Sequence, residues 1–540
     1  MPDTSPTPLL DAAQAFPTLA AEPVAPRPAS TTLVLRDSAE GHLEVLMLRR
    51  QANASFMPGH YVFPGGGVDA ADASPAEWAQ ADEPAAVAEA RLGLPPGGCG
   101  HALAALRECA EECGLRLGAT VGSGQVRWAV SALFPWAHWV SPRGLPQRYD
   151  TRFFVVAAPP DQQPVCDDRE VDALAWVRPE LALREGRLLM AFVTRRMLAT
   201  LAPFANVAAA LAHTRQPQAL EVVHPRLSQD AGGQREVIHP GHPAYAEVAR
   251  LDPNGGGHTR CGIVAGEPVR IGQAVWRVTA PNPGRMSGPG TNTYLLGRGG
   301  QWLVLDPGPA DEAHLSRLMA LTQGRVQAVL VTHTHLDHSP GATPLAALTG
   351  APLVGLPPPP GPRQDGGFAP QVQPTDGQVI DLAGVQLEAI HTPGHASNHV
   401  CWWLAEEALL FTGDHLMQGS TVVIDPPDGD MAVYMQSLRG LPERLPGMAW
   451  LAPGHGFMMA HPQRAIAHLL RHRQAREDKL VAALQRLGSA TLPALLDAVY
   501  DDVASVLRQA AERSLLAHLL KLQGEGRAGE QAQAWGLVRG

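Results

Sequence analysis

Val331-Thr332-His333-Thr334-His335-Leu336-Asp337-His338 places three histidines and one aspartate within six positions, directly after an apolar run. The apolar run predicts a buried strand over Ala328–Thr332. A lone histidine is usually a core or surface residue, whereas four metal-capable side chains at the exit of one strand favour a metal site. The sequence therefore predicts that this loop contributes to a metal centre.

Three further metal-capable side chains follow at wide spacing in the chain. They are His395 in HTPGH, Asp414 in FTGDH and His455 in APGHG. Each stands beside a glycine at the end of a strand-like run. Nitrogen and oxygen ligands without a cysteine suit a borderline metal such as Zn²⁺, the usual partner of imidazole.

The chain around these motifs alternates between predicted strands and helices, which is typical of an α/β domain. The predicted strands are Gln273–Thr279, Thr293–Leu296, Trp302–Asp306, Ala328–Thr332, Val385–His391, His399–Leu404 and Ala408–Thr412. The predicted helices between them are Ala313–Leu321 and Ala342–Leu348. After Pro462 the pattern changes to three helices and a hairpin, at Arg464–Leu487, Leu492–Tyr500, Val503–Leu522 and within Gly524–Val538.

Together with Asp306 in LVLDPG, these motifs resemble the metallo-β-lactamase superfamily over about residues 269–462. The resemblance implies an αβ/βα sandwich with two Zn²⁺ ions. It implies one site at His333, His335 and His395, a second site at Asp337, His338 and His455, and Asp414 as the bridge. Two zinc ions lower the pKa of a shared water, so a bridging hydroxide is the expected nucleophile, with Asp337 as a catalytic residue.

Other motifs narrow the resemblance to the family of beta-lactamase-like protein two. They are Asn282-Pro283-Gly284, Gly290-Thr291-Asn292-Thr293-Tyr294, Gly413-Asp414-His415 and His472-Arg473-Gln474-Ala475-Arg476-Glu477. That family includes a mitochondrial single-strand endoribonuclease and many bacterial hydrolases. The resemblance implies a winged-helix-like C-terminal domain at residues 463–540.

The first half contains a cluster of acids within Leu106–Leu115, LRECAEECGL. A helix is predicted over Ala102–Cys113, with Gly114 as its C-cap. On that helix Glu108, Glu111 and Glu112 share one face, where they repel each other unless a cation lies among them. Either a solvated acidic face or a site for a hard ion such as Mg²⁺ explains the pattern.

With Phe63-Pro64-Gly65-Gly66-Gly67 upstream, the segment from Arg107 to Leu115 resembles the second half of the Nudix box. The first half departs from the box, because Asp72 stands where the family has glutamate and 34 residues (73–106) separate it from Arg107. An interrupted box, preceded here by a segment from Phe56 to Gly66, resembles the peroxisomal coenzyme A diphosphatases, although Ser55 stands where arginine is expected. The resemblance implies a Nudix α/β/α sandwich in which Glu108, Glu111 and Glu112 bind Mg²⁺ or Mn²⁺ and catalyse hydrolysis, and Arg107 orients them.

Length and composition predict a multidomain α/β protein. At about 150 residues per domain, 540 residues predict three or four domains, and 45% hydrophobic with 17% charged residues exclude a disordered or fibrous chain. The predicted divisions are a disordered tail (1–30), a Nudix hydrolase-like domain (31–215), a trailing segment and linker (216–268), a metallo-β-lactamase domain (269–462) and the C-terminal domain (463–540). The tail lacks a signal-peptide pattern, the six cysteines are scattered, and no run is long enough for a membrane span, which together predict a cytoplasmic protein without a membrane partner.

The sequence predicts a bifunctional metal-dependent hydrolase. The first half is expected to hydrolyse a small nucleoside-diphosphate-linked substrate, of the coenzyme A type if the closer resemblance holds, or to serve as a non-catalytic binding module. For the zinc site two classes compete, an endoribonuclease acting on single-stranded RNA and a thioesterase or other acyl hydrolase. Net charge is −10, so no broad attraction to nucleic acid is expected, while residues 463–540 carry 11 basic and 8 acidic residues, a mild excess that leaves both classes open. No sequence feature indicates the oligomeric state.

Overall fold

A computed structural model describes residues 19–20, 22–54, 57–121, 125–166, 169–214 and 220–538. Ser55 and Phe56 of the predicted coenzyme A segment, and most of the predicted tail, lie outside these residues. The predicted multidomain α/β fold is confirmed, with a metallo-β-lactamase fold followed by a winged-helix domain. Over the described residues, every helix is too short or too polar to cross a bilayer.

The N-terminal region is one mixed sheet with helices on both faces, an α/β/α sandwich. Eight strands form the sheet in the order β10-β7-β8-β1-β2-β3, with β4 added to β1 and β9 to β2. Separate apolar clusters cover its two faces, one beneath α2 and α3 and the other beneath α5 and α6. The strands of this sheet are β1 Arg27–Asp37, β2 Leu43–Arg50, β3 Tyr61–Val62, β4 Gly65–Gly67, β7 Phe134–Val140, β8 Tyr149–Ala157, β9 Val171–Val177 and β10 Val222–Val223, while β5 Gly118–Val121 and β6 Gln125–Trp128 form a separate two-stranded sheet. The helices are α1 Pro75–Trp78, α2 Ala85–Leu92, α3 Gly100–Cys113, α4 Pro179–Glu185, α5 Phe192–Leu201 and α6 Val207–Thr214.

The predicted tail ends earlier than expected, because residues 27–30 belong to β1. Their backbone pairs in parallel with Tyr149–Arg152 of β8. No local pattern marks them as a strand, since their partner lies more than a hundred residues away in the chain. The acidic helix is confirmed as α3, and Gly114 ends it in the left-handed conformation at φ 68°.

The segment that follows the first sheet is not a linker, contrary to the prediction for residues 216–268. Beyond Val222–Val223, which extends the first sheet, it forms a hairpin of β11 (Arg226–Gln229) and β12 (Arg235–Ile238) and then helix α7 (Tyr245–Leu251). Glu247 of α7 is 2% exposed and forms a two-bond ion pair with Arg277, which is 3% exposed. The segment is therefore packed into the second half of the chain.

The metallo-β-lactamase region consists of two facing six-stranded sheets, with the main apolar core between them. Helices α8 and α9 cover the outer face of the first sheet, and α10 and α11 cover the second. The first sheet contains β13 Pro268–Arg270, β14 Val275–Thr279, β15 Asn292–Leu296, β16 Trp302–Leu305, β17 Val326–Leu330 and β18 Leu353–Val354. The second contains β19 Val379–Leu382, β20 Val385–His391, β21 Val400–Leu404, β22 Leu409–Gly413, β23 Trp450–Pro453 and β24 Met459–Ala460. The helices are α8 Glu312–Thr322, α9 Ala342–Thr349 and α10 Met431–Arg444.

The C-terminal region has the helices and the hairpin that the sequence predicts. A three-stranded sheet in the order β25-β27-β26 packs with the helices around a separate core. The elements are α11 Pro462–Leu487, β25 Ser489–Thr491, α12 Leu492–Val499, α13 Arg508–Gly524, β26 Ala528–Gln531 and β27 Ala534–Leu537. Since α11 begins in the second sheet's helical layer and ends in this core, it connects the two domains.

Candidate metal centre

The seven predicted ligands come together where four strands of the two sheets end. The loop after β17 supplies His333, His335, Asp337 and His338, and single ligands follow β20, β22 and β23. Because each strand is paired with its neighbours in a sheet, its end is held in place. The short loop that follows it therefore has little conformational freedom. Donor atoms of these residues lie within 4.8 Å of one another in three overlapping groups.

The first group contains three histidine nitrogens. Nδ1 of His335 lies 2.9 Å from Nε2 of His333 and 3.1 Å from Nε2 of His395. In a tetrahedral zinc site with Zn–N bonds of about 2.0–2.1 Å, neighbouring nitrogens are about 3.3 Å apart. The spacing of the three nitrogens is therefore close to that of one face of such a site.

The second group contains Asp337, His338 and His455, and the third contains His333, His338 and Asp414. Oδ2 of Asp337 lies 3.3 Å from Nε2 of His455 and 3.7 Å from Nε2 of His338. Asp414 lies between the groups. Its Oδ1 is 3.5 Å from His338 Nε2 and 3.4 Å from His455 Nε2, while its Oδ2 is 3.8 Å from His395 Nε2. The seven side chains therefore lie together, with the two oxygens of Asp414 facing different groups, and the pair of zinc sites stays a prediction.

Hydrogen bonds fix which nitrogen of each ring faces the centre. A carbonyl or carboxylate oxygen only accepts, so a ring nitrogen beside one carries the proton and leaves the other nitrogen free for a metal. The Nδ1–H groups of His338, His395 and His455 donate in this way to Asp306 Oδ2 at 3.0 Å, Val423 O at 2.9 Å and Gly290 O at 3.1 Å. The rings are therefore oriented as metal ligands, with Nε2 toward the centre.

Several buried atoms at the centre have no hydrogen-bond partner among the described residues. They are His338 Nε2, Asp414 Oδ1 and His455 Nε2. Burying such groups unpaired costs about 1–3 kcal/mol each, and more for charged ones. A divalent cation between them supplies the missing partner, so the donor set fits a metal pair.

The charges of the group differ from one ring to the next. Burial would lower the pKa of His338 and of His455, but the neighbouring aspartates raise both, that of His455 to about 9, so a bound metal would displace a proton from each ring. Burial alone would raise the pKa of Asp414, but the adjacent His455 and His338 hold it well below its usual range. Burial and the neighbouring His395 lower the pKa of His335 to about 3. Carboxylate and neutral imidazole are the forms that bind metals.

Asp306, Gly413 and Gly454 lie against Thr332 and His338 at the centre. Asp306 accepts hydrogen bonds from Thr332 N at 2.7 Å and Thr332 Oγ1 at 2.8 Å, in addition to the bond from His338. A Cβ on Gly413 would lie 2.6 Å from Thr332 Oγ1, and one on Gly454 would lie 2.7 Å from His338 Cε1. Only glycine therefore allows these two loops to approach the ligands so closely.

The predicted residues of the first half also lie close together, but in a different arrangement. Arg107 forms two bonds to Asp72, at 2.9 and 3.0 Å, and its Nη1 lies 2.8 Å from Glu108 and 3.0 Å from Glu111. Asp72 thus meets Arg107 although 34 residues (73–106) separate them in the chain. Residues 73–106 form α1, α2 and the first half of α3, and the alanine-rich α2 buries Ala88 and Leu92.

Glu112 is the buried member of the acidic face. Its Oε2 accepts a hydrogen bond from Gly65 N at 2.9 Å, and burial raises the pKa of its carboxyl to about 8. Burial also raises the pKa of Glu108, whereas Glu111 is exposed. Within the described part of the chain, groups of three donors within 4.8 Å occur in the second half, and the three glutamates do not form one.

Comparison with known proteins agrees with the geometry of the histidine centre. The sequence profile of the Metallo-beta-lactamase superfamily matches residues 287–455, and that of the Beta-lactamase associated winged helix domain matches residues 491–535. An "Atrochrysone carboxyl ACP thioesterase" of Aspergillus fumigatus is 34% identical over 244 residues, which cover 42% of this chain and 73% of the relative. The chain belongs to the metallo-beta-lactamase superfamily. It is a hydrolase of that fold with a cluster of metal-capable residues.

Two further similarities cover different parts of this superfamily member. A "Beta-lactamase-like protein 2 homolog" of Drosophila melanogaster is 29% identical over 287 residues, which cover 48% of this chain and 91% of the relative. A crystal structure of a NUDIX hydrolase from Alicyclobacillus acidocaldarius is 26% identical, with a TM-score of 0.30, and the match covers 35% of this chain and 96% of that one.

Proposed function

We propose that the histidine centre binds two Zn²⁺ ions and hydrolyses thioesters. The observation that carries the proposal is the position of Asp414, whose two oxygens face the two groups of ligands. A purely structural zinc site is a closed cage of four protein ligands, whereas a pair of sites with a shared carboxylate leaves room for a water between the ions. The thioester class is supported by relatives named as acyl-carrier-protein thioesterases, from Aspergillus fumigatus and Aspergillus chevalieri.

Each residue of the centre has a separate role in the proposed hydrolysis. When bound, the zinc ions supply an activated hydroxide and a Lewis acid for the carbonyl oxygen. Asp414 holds the two ligand groups at a fixed separation, and Asp306, Val423 and Gly290 fix the ring orientations. Asp337 is the proposed catalytic carboxylate, since its side chain is 35% exposed while those of Asp414 and His338 are 11% and 0% exposed. It therefore meets the incoming substrate, and as a carboxylate it would accept the proton that water loses when the hydroxide forms. Addition of that hydroxide to the carbonyl carbon, followed by breaking of the C–S bond, would release the carboxylic acid product and a thiolate, which takes up the proton.

A substrate screen with the full chain tests the thioester assignment. The wild-type protein and Asp414→Ala are compared on an acyl-coenzyme A, a glutathione thioester, single-stranded RNA and a chromogenic lactam. We expect thioester hydrolysis by the wild type that Asp414→Ala abolishes. Cleavage of RNA without thioester hydrolysis would contradict the proposal and favour the endoribonuclease alternative, in which the mildly basic C-terminal domain holds the strand.

The first half is a second candidate activity, Mg²⁺- or Mn²⁺-dependent hydrolysis of a diphosphate-linked nucleotide. It is supported by the contact between Arg107 and Asp72. Asp72 stands where the Nudix box has a glutamate, and it lies beside Arg107 although 34 residues (73–106) separate the two in the chain. Glu112→Gln should abolish hydrolysis of such substrates and leave thioester hydrolysis unchanged. If the wild type hydrolyses none, the first half is a binding module instead.

A further inference from the structure

Arg473 of the C-terminal domain contacts a loop that forms a hydrogen bond with His395, one of the predicted zinc ligands. It lies on α11 and is 2% exposed. Its Nη2 donates a hydrogen bond to the carbonyl of Val422. The next residue, Val423, accepts the hydrogen bond from His395 Nδ1 at 2.9 Å. Arg473 is thus connected to His395 through the backbone of one residue, Val423.

A second contact leads from Arg473 to the other side of the centre. The guanidinium carbon lies 5.5 Å from the centroid of the Tyr434 ring, within the range of a cation–π interaction. Tyr434 donates a hydrogen bond from its hydroxyl to the carbonyl of His415 at 2.9 Å, and His415 follows the bridging Asp414. The same guanidinium therefore contacts Val422, whose neighbour Val423 accepts from His395, and Tyr434, which donates to the residue after Asp414.

The environment of Arg473 is costly for a cation. Its Nε has no hydrogen-bond partner among the described residues, and none of the ion pairs found between them includes it. A buried charge without a carboxylate usually destabilises a protein relative to an apolar residue of similar volume. Stability alone gives no reason for arginine here, whereas the need to hold Val422 in place does.

Within the residues that the structure describes, two neighbours of Arg473 on helix α11 bond to the winged-helix domain and not to the loops around the metal centre. Arg476 donates to Val499 O at 2.8 Å and to Asp502 at 2.7 Å, and Glu477 accepts from Lys521 at 2.8 Å. These partners all belong to the winged-helix domain. In the segment from His472 to Glu477, Arg476 and Glu477 thus bond to the winged-helix domain, whereas Arg473 bonds to the loop at Val422.

We propose that Arg473 is a positioning residue for the zinc site formed by His333, His335 and His395. The inference rests on the proposed zinc centre. Through Val422 and Val423 the guanidinium fixes the carbonyl that orients His395, so the C-terminal domain determines how firmly that site holds its ion. Partners of metal ligands contribute about 10–100-fold to affinity, and one step further away we expect an effect near the lower end.

The test measures zinc release from the purified full chain. Wild type, Arg473→Met and Arg473→Lys are mixed with 4-(2-pyridylazo)resorcinol, and the rate and amplitude of zinc transfer are followed by absorbance. Arg476→Met is the matched control, because among the described residues the hydrogen bonds of Arg476, an arginine of the same helix, go to the winged-helix domain. Thermal unfolding and circular dichroism verify that each protein is folded.

We expect one zinc per chain to leave about tenfold faster from both Arg473 variants and at the wild-type rate from Arg476→Met. The activity of Arg473→Lys should recover in excess zinc, with KM unchanged, which a general packing defect would not produce. Arg473→Lys keeps the charge and the stem, so it carries the test if Arg473→Met does not fold. Equal release from folded Arg473 variants and the wild type would overturn the inference. A wild type that holds no zinc would overturn the proposed function, and this inference with it.

Discussion

Asp306 determines which nitrogen of His338 faces the metal centre. It accepts from His338 Nδ1 and from both donors of Thr332. In Asp306→Asn an amide NH₂ can face Nδ1, which favours the tautomer with the proton on Nε2. We expect zinc affinity to fall about 10–100-fold, as measured by competition with a chelator.

A neighbouring aspartate offers the control for this prediction. Asp311 caps helix α8 by accepting a hydrogen bond from His314 N at 2.7 Å, and in the described part of the chain it forms no hydrogen bond or ion pair with a predicted ligand. Asp311→Asn should leave zinc affinity unchanged, since asparagine is an equally good N-cap. Unchanged affinity in Asp306→Asn as well would show that Asp306 does not set the tautomer.

The cluster of seven metal-capable residues was predictable from the sequence, while most of the residues that hydrogen-bond to it were not. Imidazole and carboxylate groups at strand ends form a pattern that can be read directly, as in the loop from His333 to His338. Val423 and Gly290 support ligands through backbone carbonyls, which every residue has, so no side-chain pattern reveals them. The contact of Asp72 with Arg107 was hidden by the 34 intervening residues (73–106).

Among the elements, α7 is anchored by one buried ion pair. Glu247 and Arg277 are 2% and 3% exposed, and Glu247 also accepts from Met458 N at 2.8 Å, three residues after His455. Glu247→Gln leaves the guanidinium buried without a counter-charge. We expect the free energy of unfolding to fall by about 3–5 kcal/mol in denaturant titrations.

An exposed ion pair serves as the comparison for this substitution. Arg298 and Glu406 are 2.8 Å apart, with side chains 47% and 41% exposed. Because solvent screens such pairs, Glu406→Gln should change stability by at most about 1 kcal/mol. Similar small effects at both positions would mean that α7 does not depend on its ion pair.

Helix α11 carries a carboxylate whose ionisation stabilises the C-terminal domain. Burial would raise the pKa of Glu477, but the His518 ring at 3.6 Å and the hydrogen bond from Lys521 at 2.8 Å outweigh it and lower the pKa from 4.5 to about 2. A pKa lowered by folding contributes stability above the unfolded value, and that stability is lost as pH falls from about 4.5 toward 2. The difference in Tm between wild type and Glu477→Gln should therefore shrink over this range, whereas a constant difference would contradict the shift.

Elements with a regular pattern were predicted well, and elements that depend on distant partners were not. Val385–His391 coincides with its prediction because its apolar residues alternate along a half-buried strand. Helix α10 was missed, since Gly440 and Pro442 interrupt its sequence, and burial of Tyr434 and Leu438 stabilises it nevertheless. The strand at residues 27–30 and the ion pair of α7 both require partners that no local window contains.

At the scale of the whole molecule, residues 220–265 contact both halves, since Val222–Val223 extends the first sheet and Glu247 pairs with Arg277 of the second half. A fragment of residues 266–540 retains Arg277 but lacks Glu247, whereas a fragment of residues 220–540 retains the ion pair. We expect the longer fragment to have the higher Tm and to remain monodisperse in gel filtration. Equal Tm values for the two fragments would show that residues 220–265 do not stabilise the metallo-beta-lactamase domain.

The central claim is that residues from four strand ends surround a pair of zinc ions. The most direct measurement is elemental analysis of the full chain, expressed with added zinc and purified by gel filtration, beside Asp414→Ala prepared in the same way. The arrangement of the ligands predicts about two zinc ions per wild-type chain and fewer in the variant. A folded wild-type chain that retains no zinc, or a variant that retains as much as the wild type, would contradict the account.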